Sequence, residues 1–124
     1  MAERWRVLIV DDDADMRVLE RVLFRADDRF EVVGEAIDGA DALAQVVELR
    51  PDVVVLDLAM GVMDGATALP ILRHLMPDAV LAVCSAYLDD TEHLTPLGAD
   101  AFVDKTEMHR ELVPLLAAAC SART

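Results

Sequence analysis

The sequence predicts a doubly wound α/β domain in which five parallel strands alternate with five helices. Three observations carry that expectation. Short apolar runs at residues 7–10, 53–56 and 79–84 have strand length and are rich in branched residues, as strands buried on both faces are. Stretches of helical period separate them. The runs also end in polar residues able to do chemistry, and an open α/β sheet builds its sites beyond the carboxyl ends of its strands, where the strand order reverses. Such alternation implies right-handed crossovers with helices on both faces.

Trp5–Val10 is the first strand, ended by Asp11, Asp12 and Asp13. Met16, Leu19, Val22 and Leu23 then recur at helical spacing over residues 13–25, with Asp13 as the cap. Phe30–Ala36 has the mixed character of an edge strand, and Gly34 inside it weakens pairing. A helix over Gly39–Leu49 carries the stripe Ala42, Leu43, Val46, Val47 and Leu49, and Arg50-Pro51 stops it. Residues 53–56 form the central strand and deliver Asp57.

A loop over residues 58–63 leads to Asp64, read as the cap of a helix that runs from Gly65 to about Leu75, with a kink expected at Pro70. Residues 79–84 deliver Ser85 and Ala86 to the same sheet edge as the acids. A short acidic helix is expected over residues 89–94, ended by Pro96 and Gly98. Residues 101–103 form the fifth strand, with Lys105 just beyond its end. Thr106 is the expected N-cap of the last helix, Glu107 suits its positive end, and Pro114 predicts a kink or early fraying.

A length of 124 residues suits one domain over residues 1–124, and no repeat or low-complexity segment interrupts it. The net charge of −13 and pI near 4.3 speak against binding nucleic acid or an anionic membrane, both of which need a basic patch. Cys84 and Cys120 are too few for a disulfide framework, which points to a reducing, cytoplasmic compartment. No run reaches membrane-spanning length and the N-terminus lacks the pattern of a signal peptide, so a soluble protein is expected. His74, His93 and His109 read as surface side chains and Cys84 as a small core residue.

The chemistry gathers around Asp57. If the first and third strands are parallel neighbours, Asp11, Asp12 and Asp57 meet at one edge, where like charges repel unless a cation joins them. Carboxylates are hard ligands suited to Mg²⁺. Ser85 and Lys105, the only lysine among eleven basic side chains, arrive at the same edge.

This set resembles the receiver domain of two-component response regulators, over essentially the whole chain. The resemblance implies a flavodoxin-like sheet in the order 2-1-3-4-5. It implies a phosphoryl group accepted onto Asp57 from a sensor histidine kinase or a phosphotransfer protein, with Mg²⁺ held by Asp12, Asp57 and the backbone carbonyl of Ala59, and by Asp11 mainly through water. Lys105 would meet the phosphoryl group and Ser85 would donate a hydrogen bond to it. Ser85 and Phe102 would switch a face made by the fourth helix, fifth strand and fifth helix, signalling to an output domain or a partner, with a homodimer through that face as one outcome. Such a chain is no enzyme toward other substrates and catalyses only its own phosphorylation and dephosphorylation.

Three departures from the family pattern stand out: Gly61 where proline is usual, Thr106 after Lys105 where proline, often in a cis bond, is usual, and a sequence that ends soon after the last helix where the family often carries an output domain. The Lys105-Thr106 bond is therefore expected to be trans. A different class, a Mg²⁺-dependent phosphatase of the haloacid-dehalogenase type, would make Asp11 the nucleophile and Asp13 the acid, but the length and the lack of a downstream acid pair disfavour it. A receiver acting by contacts alone is disfavoured by the presence of Asp12, Asp57 and Lys105.

Overall fold

The structure, a computed structural model, describes residues 4–58, 63–86 and 92–123. Strands β1 Trp5–Val10, β2 Phe30–Ala36, β3 Val53–Asp57, β4 Val80–Ser85 and β5 Ala101–Asp104 form one parallel sheet in the order β2-β1-β3-β4-β5. The helices are α1 Ala14–Arg25, α2 Gly39–Leu49, α3 Gly65–Leu75 and α4 Met108–Ser121. The chain steps outward from β1 to β2 and then crosses back to β3, so strand order reverses between β1 and β3.

Side chains alternate across a strand, and here both faces are buried. Leu8, Val10, Val54, Leu56, Leu81 and Val83 meet Ala42 and Val46 of α2 and Leu69 and Leu72 of α3. Val7, Ile9, Val53, Val55 and Ala82 meet Phe24 of α1 and Leu112 and Leu116 of α4. That double burial is why the strands read as unbroken apolar runs. All five residues of β3 are buried, Asp57 among them.

On the edge strand, Val7 pairs with Val32 and Leu8 with Gly34, so Val33 is bulged out. A Cβ at Gly34 would lie 2.7 Å from Gln45 Oε1 and 2.8 Å from Leu49 Cδ1, so the glycine lets α2 close onto this strand. Arg50, in the left-handed region at φ 49°, ends α2 ahead of Pro51 as expected. At the amino ends of the strands, Arg73 pairs with Asp100 and donates to Gly98 O, Pro77 O and Ala79 O, while Arg123, just beyond α4, also pairs with Asp100.

The structure corrects several local expectations. Of the acidic helix expected over residues 89–94, residues 89–91 lie outside the described residues, and Glu92–Leu94 forms a 3₁₀ turn. The last helix is capped differently as well. Asp104, not Thr106, accepts from Thr106 N at 2.9 Å and from Thr106 Oγ1 at 2.7 Å, starting a 3₁₀ turn, Lys105–Glu107, that runs into α4. Pro114 does not fray α4, which continues to Ser121, and Pro70 lies inside an unbroken α3. Asp13 and Asp64 do cap their helices, accepting from Asp15 N and Thr67 N. The Lys105-Thr106 bond is trans, as is every peptide bond among the described residues.

The face of α1 also differs from expectation. Leu19 and Val22 are exposed, and the inward row is Met16, Glu20 and Phe24, spaced four apart. Glu20 is therefore a carboxyl in the core, 1% exposed. Burial, reinforced by the charge of Asp11 and opposed by Lys105, pushes its pKa from 4.5 up to about 8.

Two predictions follow from this packing. A Cβ at Gly65 would lie 2.2 Å from the carbonyl oxygen of Asp57 and 2.9 Å from Leu58 Cα, backbone that cannot give way. Gly65→Ala should cost about 1–3 kcal/mol in chemical denaturation, as overpacking does, and unchanged stability would show that α3 is not seated on the end of β3. For Glu20, the unfolded chain loses the proton near pH 4.5 while the folded chain keeps it to about 8, so stability falls as pH rises through that window. Glu20→Met should flatten that slope and gain about 3 kcal/mol at pH 7, and parallel pH profiles for the two proteins would refute the buried-acid assignment.

Candidate functional site

The site is built from the carboxyl ends of β1, β3, β4 and β5. β1 ends at Val10, and Asp11 follows with its N–H donating to Ala36 O of β2 at 3.0 Å. Sheet pairing thus extends one residue beyond the strand and fixes Asp11 in place, 1% exposed. Asp11 Oδ1 accepts from Asp13 N at 2.9 Å, and Asp11 O accepts from Arg17 Nη1 at 2.7 Å. Asp57 closes β3, 4% exposed and paired in register with Cys84 of β4. The chain then turns sharply: Gly65 N donates to Leu58 O at 3.0 Å, and Gly39 N donates to Met63 O at 2.8 Å, strapping the far side of the loop to the start of α2.

Lys105 lies one residue past β5 and reaches back across the edge. Its Nζ stands 3.0 Å from Asp57 Oδ1 and 3.2 Å from Asp11 Oδ2, with the side chain 21% exposed. Partial burial lowers the Lys105 pKa, but the hydrogen bond and charge of Asp57, with those of Asp11, outweigh it and the net shift is upward. Lys105 is held as a cation between two buried carboxylates.

Asp12 is exposed at the rim, and one oxygen each from Asp11, Asp12 and Asp57 lie within 4.8 Å of one another. Three hard oxygen donors converging on one point, with a single ammonium among them, match the requirements of a small divalent cation. The site residues expected from sequence thus come together: Asp11, Asp12, Asp57 and Lys105 in one cluster, and half-buried Ser85 at the end of β4, paired in register with Asp104. Phe102 is half-buried on β5, opposite Val83, and packs against the core on the α2 and α3 side. Ala59, Gly61, Asp89 and Asp90 lie outside the described residues, and nothing is described of the Glu92 side chain. Cys84 is a buried thiol whose pKa burial, with Glu20, pushes well up. The three histidines are exposed.

Sequence reasoning missed two features. Arg17 and Arg21 of α1 both pair with Glu35 at the end of β2, beside Asp11. Glu20 is buried and feels the charges of Asp11 and Asp57, and the signal was present in the sequence as a charge midway between Met16 and Phe24. The phosphatase alternative does not fit this geometry. Asp13, its supposed acid, is exposed and accepts from Asp15 N as a helix cap.

Comparison with known proteins agrees with this arrangement. The chain is 41% identical over 108 residues to a protein-glutamate methylesterase/protein-glutamine glutaminase of Caldanaerobacter subterraneus, covering 85% of this chain and 29% of that protein. It is 43% identical over 111 residues to the transcriptional regulatory protein PrrA of Mycobacterium leprae, covering 87% of this chain and 46% of that one. The chain thus spans less than half the length of either relative. Among solved structures, the signal receiver domain of a NarL response regulator from Mycobacterium tuberculosis superposes with a TM-score of 0.89 at 29% identity, covering 97% of this chain and 98% of that one. The response regulator domain of CheB from Thermotoga maritima gives 0.85 at 27%, covering 98% and 96%. The phosphatase reading finds no support among these relatives. The sequence model of the response regulator receiver domain matches residues 7–117, and with four carboxyl strand ends converging on one buried aspartate, this chain belongs to the response regulator receiver domain family.

Proposed function

We propose that residues 1–124 act as one phospho-accepting receiver domain in which Asp57 is the nucleophile. The observation that carries this reading is Lys105 Nζ placed between Asp57 and Asp11, a cation waiting where a phosphoryl group would bring negative charge. One Asp57 oxygen attacks the phosphorus of a phosphohistidine on a sensor kinase or phosphotransfer protein. The O–P bond forms, the P–N bond breaks, and the imidazole leaves with its electron pair. In the return step, water attacks the phosphorus, the bond to Asp57 breaks, and inorganic phosphate departs.

The protein's share of such chemistry is positioning and electrostatics. β3 holds Asp57 at the edge of the core, Lys105 neutralises the phosphoryl oxygens as a compact charge, and Ser85 donates a hydrogen bond to one of them. Asp12, Asp57 and the carbonyl of Ala59 would hold Mg²⁺ directly, with Asp11 acting mainly through water. The bound ion would supply positive charge opposite the carboxylates and the phosphoryl group.

Ser85 drawn toward the phosphoryl group frees space for Phe102 to turn inward, which alters the face around β5, α4 and the segment before β5. That face would signal to an output domain or a separate partner, or pair with a second copy. The chain would otherwise catalyse nothing beyond its own phosphorylation and dephosphorylation, and would work in the cytoplasm without binding nucleic acid or membrane itself. No helix among the described residues is long and apolar enough to cross a membrane.

Incubation with Mg²⁺ and acetyl phosphate should add one phosphoryl group by intact mass, and Asp57→Asn should add none. A modified Asp11 would revive the phosphatase reading and defeat this one. Removal of Mg²⁺ by chelation should lower the melting temperature, and Asp12→Ala should remove most of that dependence, since the ion binds only the folded pocket. Melting that ignores millimolar Mg²⁺ would mean the acids do not form a cation site.

A further inference from the structure

The chemistry above uses Asp11, Asp12, Asp57 and Lys105, and leaves one acid of the same neighbourhood without a task. Glu20 is 1% exposed, and its Oε2 is the buried side-chain oxygen that, among the described residues, has no hydrogen-bond partner. A buried acceptor left without a donor is destabilising. An apolar residue between Met16 and Phe24 would avoid that cost, so the fold alone gives no reason for the carboxyl.

Its direction gives one. Helical side chains lean toward the helix N-terminus, and α1 starts directly after Asp13, at the carboxyl end of β1. Glu20 therefore leans toward the acid pocket. The groups that act on it most strongly after burial itself are Asp11, Lys105 and Asp57. Glu35, at the end of β2, also acts on it, and Glu20 in turn acts on Cys84, the register partner of Asp57.

Glu20 is not one of the three carboxylates whose oxygens converge within 4.8 Å. It is nonetheless near enough to feel the charges of Asp11, Lys105 and Asp57. A small hard cation such as Mg²⁺ keeps several waters when bound by carboxylates, and each of those waters brings O–H donors into a region where Glu20 Oε2 lacks one. Groups at this remove fix the orientation of ligands and coordinated water.

We propose that Glu20 is a positioning residue of the cation site, its unpartnered carboxyl oxygen accepting a hydrogen bond from a water carried in by Mg²⁺ at Asp11, Asp12 and Asp57. This rests on the reading that those three acids hold the ion. Calorimetric titration of the full chain with Mg²⁺ alone tests it, comparing wild type, Glu20→Gln, Glu20→Met and Asp12→Ala. Glu20→Met removes an orphaned buried acid and folds at least as stably as wild type, which far-UV circular dichroism verifies. Its Kd for Mg²⁺ should rise roughly tenfold, and Glu20→Gln, which keeps an acceptor oxygen, should recover part of the loss. Wild-type affinity in Glu20→Met, or equal losses in Gln and Met, would overturn the proposal. If Asp12→Ala loses Mg²⁺ while Glu20→Met keeps it, only the role of Glu20 falls. If Asp12→Ala binds as wild type does, the acid pocket falls as the cation site and the proposal with it.

Discussion

The structure depends on a balance of charge at the carboxyl edge of the sheet. Asp11 and Asp57 are almost fully buried, and two carboxylates that far from water are tolerable only with a positive partner. Lys105 is that partner. Its place is set by the length of β5 and by the 3₁₀ turn that Asp104 starts, so a helix cap on one element positions a charge that two others need. In a chain of net charge −13 this is a local solution, and it leaves the pocket short of positive charge. An ion and an anionic group arriving together can complete it.

The two ends of the sheet are treated in opposite ways. At the amino ends, Arg73 and Arg123 share Asp100 and donate further to backbone carbonyls of the loop before β4 and the loop before β5. Those charges are tied to protein partners. At the carboxyl ends the acids outnumber their cations and part of the cluster reaches solvent. Paired charge is concentrated at one end and unbalanced acid at the other, with a core buried on both faces between them.

Much of this was legible in the sequence. The strands could be read because both faces of the sheet are covered, which removes polar residues from the runs, and the acids could be read because they terminate those runs. Caps at Asp13 and Asp64 were visible as local chemistry. What escaped depended on direction around a helix axis. Leu19 and Val22 satisfied a helical period as well as Glu20 and Phe24 break or keep it, and only packing on β1 decides which row turns inward. Thr106 looked like a cap because serine and threonine usually are caps, and Asp104 lies two residues earlier at the end of a strand, where a cap is not looked for.

The alternation that buries β3 on both sides has a consequence for how such a chain can vary. Substituting one apolar residue for another changes volume only, and neighbouring side chains can adjust. Inserting or deleting a single residue within β3 would exchange the two faces of every position beyond it and carry Asp57 to the wrong side of the edge. Point change and length change are thus unequal risks along the same five residues. Length change is tolerable in the connections, while the strand behaves as a ruler that sets where the Asp57 carboxylate emerges.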